Sequence, residues 1–596
     1  MSLKYICYLP VLLICWSCAQ QGSPSGGPRD EDPPVVLECD PPNYSTLFES
    51  KKILITFDEY IVLDNVNQEL IVSPPMEEQP EVKLKKKTMI IEFEEGLRIN
   101  TTYTFNFGDA IKDLHEGNKL QNYEYVFSTG EVLDSMSVRG RLKYAENLEV
   151  PDEPISIMLY SDLRDSVPLL DIPLYIGRSN DSGVFSVNNL RPDVFKVFAL
   201  KDGNNNFLFD LPTEEIAFLD TSLIVNADFA RLLLGDSIIS EAIPDTVFAD
   251  SSAIVSDSIS GTRPDFNSIY IDLMLFTEAS EVQYLTNNIR EDRRKLQLVF
   301  ALPLTDTFSY RPLMEANERE AYFLEHYSAA RDSLTLWVRD SVDYKRDSIS
   351  LELKYTVKDT TEQYVVRTDT VLFSYRETQS RNRRSQEAQK EEEKLELNTI
   401  RNNGYQDLNR DLSMFIDFPV GFLNDSLFSL FIIPDSVEIP VSFTVKADSL
   451  QPYRVNVSCS WEPASTYRME LLPGAISSIY PMLHDTLDVS FKTRDPEFYG
   501  QILLVLENVR DRVLVQLISN KDVIEEKLIE ADGQYVFSYL APKEYEFKFI
   551  HDLNKNGKWD TGNYLENLQP EPVELLPVSI EVRSNWDHDV SMVLEK

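Results

Sequence analysis

The sequence predicts an all-β chain, a string of antiparallel β-sandwiches, and three observations carry that expectation. Apolar residues alternate with polar ones over short stretches, as at Ile53, Ile55 and Phe57, at Met89, Ile91 and Phe93, and at Tyr103, Phe105 and Phe107. Period-two alternation is the mark of strands with one buried face. Proline pairs at Pro33-Pro34, Pro41-Pro42 and Pro74-Pro75 interrupt the alternation without destroying it, which suits loops and sheet edges. The third observation is an internal repeat, which constrains architecture before any local propensity does. Gly183, Phe185, Leu190, Pro192, Phe195, Val197, Asp202, Asn204, Asn206 and Asp210 recur about 350 residues later as Gly533, Tyr535, Leu540, Pro542, Tyr545, Phe547, Asp552, Asn554, Asn556 and Asp560. Each copy reads as an aromatic strand, a Leu-x-Pro turn, a second aromatic strand and an oxygen-rich loop ending in Asp.

At the N-terminus, Lys4, an apolar run from Tyr5 to Trp16 and then Ser17-Cys18 have the layout of an export signal, too short to span a bilayer permanently. The layout resembles a bacterial lipoprotein signal. That resemblance implies a signal peptide over 1–17 and Cys18 as the acylated first residue of the mature chain. Cys15 competes for the role, but Ile14 before it is larger than the residue usual there. Residues 18–34, polar and rich in Pro, Gly and Ser, read as a tether. No later apolar stretch approaches the roughly 20 residues a transmembrane helix needs, so the remainder is expected to be soluble and held only by lipid. The expected location is the outer membrane, on either its periplasmic or its cell-surface side.

A chain of 596 residues, 43% apolar, should divide into about four or five domains. Residues 35–130 resemble the bacterial Ig-like domain of S-layer and other envelope proteins. The residues that carry this are Tyr103, Ala110-Ile111, Gly117-Asn118 and the closing Phe127-Ser128-Thr129-Gly130. With the opening Cys-Ala-Gln-Gln-Gly-Ser-Pro-Ser-Gly-Gly-Pro-Arg-Asp after the signal, the chain resembles a group of Bacteroidota lipoproteins. Residues 131–225 hold the first repeated module, and 226–264, rich in Asp, Ser, Ala and Ile, read as an extended linker. Alternation at Leu334, Leu336 and Val338, and at Ile349, Leu351, Leu353 and Tyr355, predicts a further sandwich over 265–377. Residues 378–405, with Arg-Asn-Arg-Arg and Lys-Glu-Glu-Glu-Lys, read as a charged linker. Tyr467, Ala475-Ile476 and Phe491-Lys492-Thr493 echo the first Ig-like signature with one compensating insertion, which predicts a second Ig-like domain over 406–495. The second repeated module fills 496–596. Both modules resemble transthyretin-like or Cna-B-type β-sandwiches over about 30 residues each, and duplication of a two-domain pair is the economical explanation.

The candidate chemistry lies in the oxygen-rich loops. In Asp552-Leu-Asn554-Lys-Asn556-Gly557-Lys-Trp-Asp560, side-chain oxygens fall at positions 1, 3, 5 and 9 with Gly at 6, as in the first part of an EF-hand loop. Position 12, where a bidentate Glu belongs, is Asn563; in the first copy it is Thr213, with Glu214 adjacent and Phe207 in place of the Gly. A complete EF-hand is excluded. Asp202, Asn204, Asn206 and Asp210, with Asp552, Asn554, Asn556 and Asp560, are therefore candidate ligands for weakly bound calcium. The competing reading is that they make Asx turns that satisfy backbone N–H groups.

The five histidines lie singly, without a metalloprotease pattern, and no nucleophile turn or phosphate loop is present. No catalytic residue is nominated, and the chain is not expected to be an enzyme. Its formal charge of −41, from 98 acidic and 57 basic side chains, argues against nucleic acid. Cys39 and Cys459 are expected to be unpaired core thiols. Short Asp-Ser/Thr-apolar triplets such as Asp236-Ser237-Ile238, Asp425-Ser426-Leu427 and Asp435-Ser436-Val437 look like the O-glycosylation sequon of exported Bacteroidota proteins, although turn capping produces the same pattern. Trp461, Trp559 and Trp586 sit near predicted loops where they could stack on sugars. The expected function is a non-enzymatic, lipid-anchored envelope scaffold or adhesin with a protein or glycan partner. Glycan binding within an outer-membrane nutrient-capture system is the alternative, and a hydrolase the reading after that.

Overall fold

The computed structural model describes residues 30–595 except 77, 95, 212, 232–266, 280–281, 314–321, 359–362, 377–393 and 401–403. The proposed signal peptide, Cys18, most of the tether, the bulk of both linkers and the Asp236 triplet lie outside the described residues. The regular elements of what is described are almost all strands, and Cα packing divides it into two units: Met1–Tyr144 with Glu149–Leu275, and Ala145–Leu148 with Phe276–Lys596.

The first unit opens with a sandwich. One sheet runs in the order Val36–Asp40, Lys52–Phe57, Thr88–Glu92, Glu81–Lys85, and the other Ile71–Ser73, Thr102–Asn106, Glu124–Ser128. The alternation has the expected result: Ile53, Ile55, Phe57, Met89, Ile91, Phe93, Tyr103, Phe105 and Phe107 are all buried in one core. Burying such side chains stabilises by roughly 1.5–3 kcal/mol each before entropy is counted.

The first repeated module follows as two layers. One has the order Tyr175–Arg178, Ser156–Tyr160, Asp193–Lys201, and this last strand pairs with both Glu215–Phe218 and Leu223–Val225. In the other, Met136–Tyr144 pairs antiparallel with Val184–Leu190 and parallel with Ser268–Thr277. The sequence reading closed this module at 225 and opened a new domain at 265. Strand pairing instead makes Ser268–Thr277 the closing strand of the first module. Ile269, Leu273 and Leu275 enter its core, and Ala227, Phe229 and Ala230, at the start of the expected linker, pack there too.

In the second unit, Leu285–Asp292, Lys295–Phe300, Ser333–Val338 and Phe323–Tyr327 form one sheet of the middle sandwich, and Ser309–Pro312, Ser348–Lys358 and Tyr364–Ser374 the other. The next sandwich reaches back into the expected charged linker. Leu395 is buried in its core and Leu397–Ile400 pairs with Leu412–Ile416, so the linker ends earlier than its charges suggest. The final module repeats the first strand for strand: Asp522–Ile529, Val513–Ser519 and Glu544–His551, the last pairing with Val573–Leu575 and Ile580–Glu581. Over it lie Gly533–Leu540, Gly500–Glu507 and the parallel closing strand Asp587–Val593.

Candidate functional site: paired loops and paired clamps

The two oxygen-rich loops occupy the same place in their modules, each following the central strand Asp193–Lys201 or Glu544–His551. Asp202 Oδ1 and Oδ2 accept the N–H groups of Asn206 (3.2 Å) and Phe207 (2.7 Å). Asp552 does the same for Asn556 (2.9 Å) and Gly557 (2.9 Å). The fourth and sixth loop residues are left-handed in both copies: Asn205 and Phe207 at φ 58° and 61°, Lys555 and Gly557 at 63° and 79°. Gly is the residue with no steric cost there, and Phe207 shows that the fold holds the turn without it.

The side chains close on one another. Asn204 and Asn206 donate their amides to Asp210 at 3.1 and 2.8 Å, and Asn554 donates to Asp560 at 2.7 Å with Asn556 beside it. Burial alone would raise the Asp560 carboxyl, but these two amides and the Lys558 ammonium outweigh it and hold the group below the usual carboxylate range. Arg512 adds a cation 3.4 Å from the fully buried Asp552.

Sequence reasoning missed the third carboxylate of each loop. Glu214 accepts the N–H of Gly203 (3.1 Å) and of Asp210 (3.0 Å); Glu571 accepts those of Leu553 (2.8 Å) and Asp560 (3.1 Å), the matching positions. Burial pushes Glu571 above its ordinary pKa against these hydrogen bonds. The adjacency of Glu214 to position 12 was the only available signal, and Glu571 lies too far along the chain to show one. The Asx-turn chemistry is thus present in full. Among the described residues no three His, Cys, Asp or Glu side chains gather as a metal cluster, and the loop donors include amides as well as carboxylates. His551, the residue before the loop, turns its ring to Glu574 at 2.7 Å.

The Ig-like units carry a second matched device. The Tyr103 hydroxyl oxygen accepts the Arg98 N–H at 2.9 Å, and Thr129 Oγ1 donates to Arg98 O (2.7 Å) while accepting the Thr101 N–H (3.0 Å). Tyr467 accepts from Glu462 at 2.9 Å, and Thr493 donates to Glu462 O (2.6 Å) and accepts from Ser465 (2.9 Å). Tyr103 stacks on Phe127 at 5.5 Å and Tyr467 on Phe491 at 5.8 Å, both at 13° between planes. The Phe-x-Thr signature is therefore a clamp on the loop entering the Tyr strand. In the first copy Asp113 adds a nest of four backbone N–H groups, from His115, Glu116, Gly117 and Asn118 at 2.6–3.1 Å.

Of the three tryptophans, Trp461 is core and donates to Arg410 O, Trp559 is half-buried and donates to Glu571 O, and Trp586 is exposed. Cys39 and Cys459 are free thiols, the first with its sulfur 3.4 Å from the Tyr123 hydroxyl. A cleft of about 660 Å³ in the first unit has polar walls bonded to each other, as where Glu124 accepts the amides of Asn106 and Asn188 at 3.1 Å. No helix among the described residues is long and apolar enough to cross a membrane.

These features define a multidomain protein of strand-built, Ig-like sandwiches. Residues 30–129 match the bacterial Ig-like domain. No curated protein matches the chain. Among solved structures it is similar to native alpha-2-macroglobulin from Escherichia coli spanning domains MG0-NIE-MG1, at 10% identity over 45% of this chain and 94% of that one, TM-score 0.18. It is similar too to the S-layer protein rSbsC(31-844), at 9% identity over 87% and 65%, TM-score 0.13, and to domains A168-A170 from titin, at 7% over 52% and 100%, TM-score 0.13. At such scores nothing about arrangement or function is transferred.

Proposed function

We propose that this chain is a non-enzymatic scaffold or adhesin of the cell envelope, anchored through acylated Cys18, that presents a surface to a protein or glycan partner. The observation that carries the reading is the repetition of two closure devices, loop and clamp, at equivalent positions of a duplicated pair. In both devices the polar groups are committed to backbone N–H and C=O groups or, in the loops, to one another, which is what rigidity requires and not what turnover requires. Metabolic labelling with palmitate tests the anchor: label on the native chain, and its absence with a move to the soluble fraction in Cys18→Ala, is expected. An unlabelled native chain would remove the anchor from the proposal. The glycan alternative rests on Trp586 alone among the three tryptophans, and an array of polysaccharides that gives no signal would end it.

Calcium at the loops belongs to the same proposal. Asp202, Asn204, Asn206 and Asp210, and their counterparts Asp552, Asn554, Asn556 and Asp560, offer hard oxygens once the two amides turn their oxygens inward. So few carboxylates imply dissociation constants of about 10⁻⁴–10⁻³ M. Binding to the folded state alone would raise the melting temperature in millimolar calcium over calcium-free buffer of equal ionic strength. An unchanged melt would leave the loops closed by their own amides.

A further inference from the structure

We propose that the strand Tyr364–Ser374 of the middle sandwich is a self-association edge, on which two copies of this chain pair antiparallel about Thr368. The strand is long, 11 residues, and among the described residues stands at the end of its sheet. The Tyr375 N–H donates to Asp347 O at 2.8 Å, and the Leu313 N–H on the opposite flank donates to Ser350 O at 2.9 Å. In an antiparallel ladder alternate residues bond to alternate sides. With Ser350 facing away from it, its partner Leu372 and the other even-numbered residues aim their backbone N–H and C=O groups out at the edge, on which no other described strand pairs. The Asn288 amide caps the Leu372 carbonyl at 3.1 Å, which marks where the open stretch ends.

Natural edges are guarded by charge. Elsewhere in this chain the end strand Glu81–Lys85 carries Glu81, Lys83 and Lys85, and the end strand Asp522–Ile529 carries Asp522, Glu525, Glu526 and Lys527. Tyr364–Ser374 has only Arg367 and Asp369, which meet each other along the strand at 3.0 Å and would exchange that contact for one across the two-fold axis, and exposes Tyr364 at 75%, Val366 at 66% and Leu372 at 58%. A cleft of about 510 Å³ runs beside it, lined by Tyr284, Leu285, Asn288, Arg367 and Asp369 among others.

The order of residues names the occupant. Tyr-Val-Val-Arg-Thr-Asp-Thr-Val-Leu, from Tyr364 to Leu372, is self-complementary about its central Thr368. Antiparallel pairing on that centre sets Arg367 opposite Asp369 of the second copy, Val366 opposite Thr370, Val365 opposite Val371 and Tyr364 opposite Leu372. Opposite charges and aromatic or β-branched pairs are the favourable cross-strand combinations, and each occurs twice in a two-fold interface. The outward parity of Thr368 makes it a hydrogen-bonded pair with itself, so backbone and side chains agree on one register.

Sedimentation equilibrium of the full chain in mild detergent tests this. The native chain is expected to dimerise in the micromolar range. Thr368→Lys, which places two ammonium groups on the axis, weakens the dimer at least about tenfold with unchanged circular dichroism. Arg367→Asp weakens it as well, and Arg367→Asp combined with Asp369→Arg restores it by exchanging the charges of the same pairs. Oxidation crosslinks Thr368→Cys with itself and leaves Thr370→Cys at background. A native chain that stays monomeric, a Thr368→Lys chain that dimerises like the native one, or a folded double exchange that fails to restore pairing would each overturn the proposal.

Discussion

Asp113 gives the first Ig-like unit a defined acid sensitivity. Its buried carboxylate would be raised by burial, but four backbone N–H groups overcome this and bring it down to about 2 from an ordinary 3.8. A carboxylate with a depressed folded-state pKa stabilises fully above the unfolded value, and loses that contribution as pH falls through the folded one. The melting difference between the native chain and Asp113→Ala is thus expected to be constant near neutrality and to shrink between pH 3.8 and about 2. A difference that is flat across this window would mean the nest does not hold the charge. Thr493 is a second single-residue test. Thr493→Val keeps shape, removes a buried hydroxyl that bonds Glu462 O and the Ser465 N–H, and should cost about 1–3 kcal/mol in urea unfolding. Thr129→Val should behave alike, since the two clamps match bond for bond.

At the scale of elements, Gly140 decides whether the first module closes. A Cβ there would lie 1.7 Å from Ile271 O and 2.8 Å from the Phe185 ring, between the two strands that flank Met136–Tyr144. Gly140→Ala should therefore destabilise by about 1–3 kcal/mol or more, and hydrogen exchange should speed up along Ser268–Leu275 first. Protection unchanged in that strand would remove the parallel pairing from the account. The strands that alternate, such as Lys52–Phe57 and Ser348–Lys358, were legible because one face of each is buried. Ser268–Thr277 alternates too, yet its partner was not legible: parallel pairing joins segments far apart in the chain and leaves no turn signal between them. Leu397–Ile400 was hidden by the charges before it, and Glu571 by distance from the loop it braces. The Asx turns offered as the competing reading of the loops are present, and they were legible because their bonding is local.

For the molecule as a whole, a formal charge of −41 makes self-repulsion a standing cost. Raising ionic strength from about 0.01 M to 0.15 M shortens the screening length from roughly 30 to 8 Å, and should raise the melting temperature with sodium chloride as readily as with any divalent salt. A calcium effect is then counted only beyond that common rise. The way the first repeated module is completed has a further consequence for how the chain comes into being. Ser268–Thr277 must lie beside Met136–Tyr144 for that module to finish, and more than 120 residues separate them. A nascent polypeptide emerging from the ribosome therefore holds an unclosed sheet until the tenth strand residue clears the exit tunnel, so the N-terminal Ig-like unit matures ahead of its neighbour, and a translational pause before residue 277 would prolong the interval in which chaperones find exposed apolar surface.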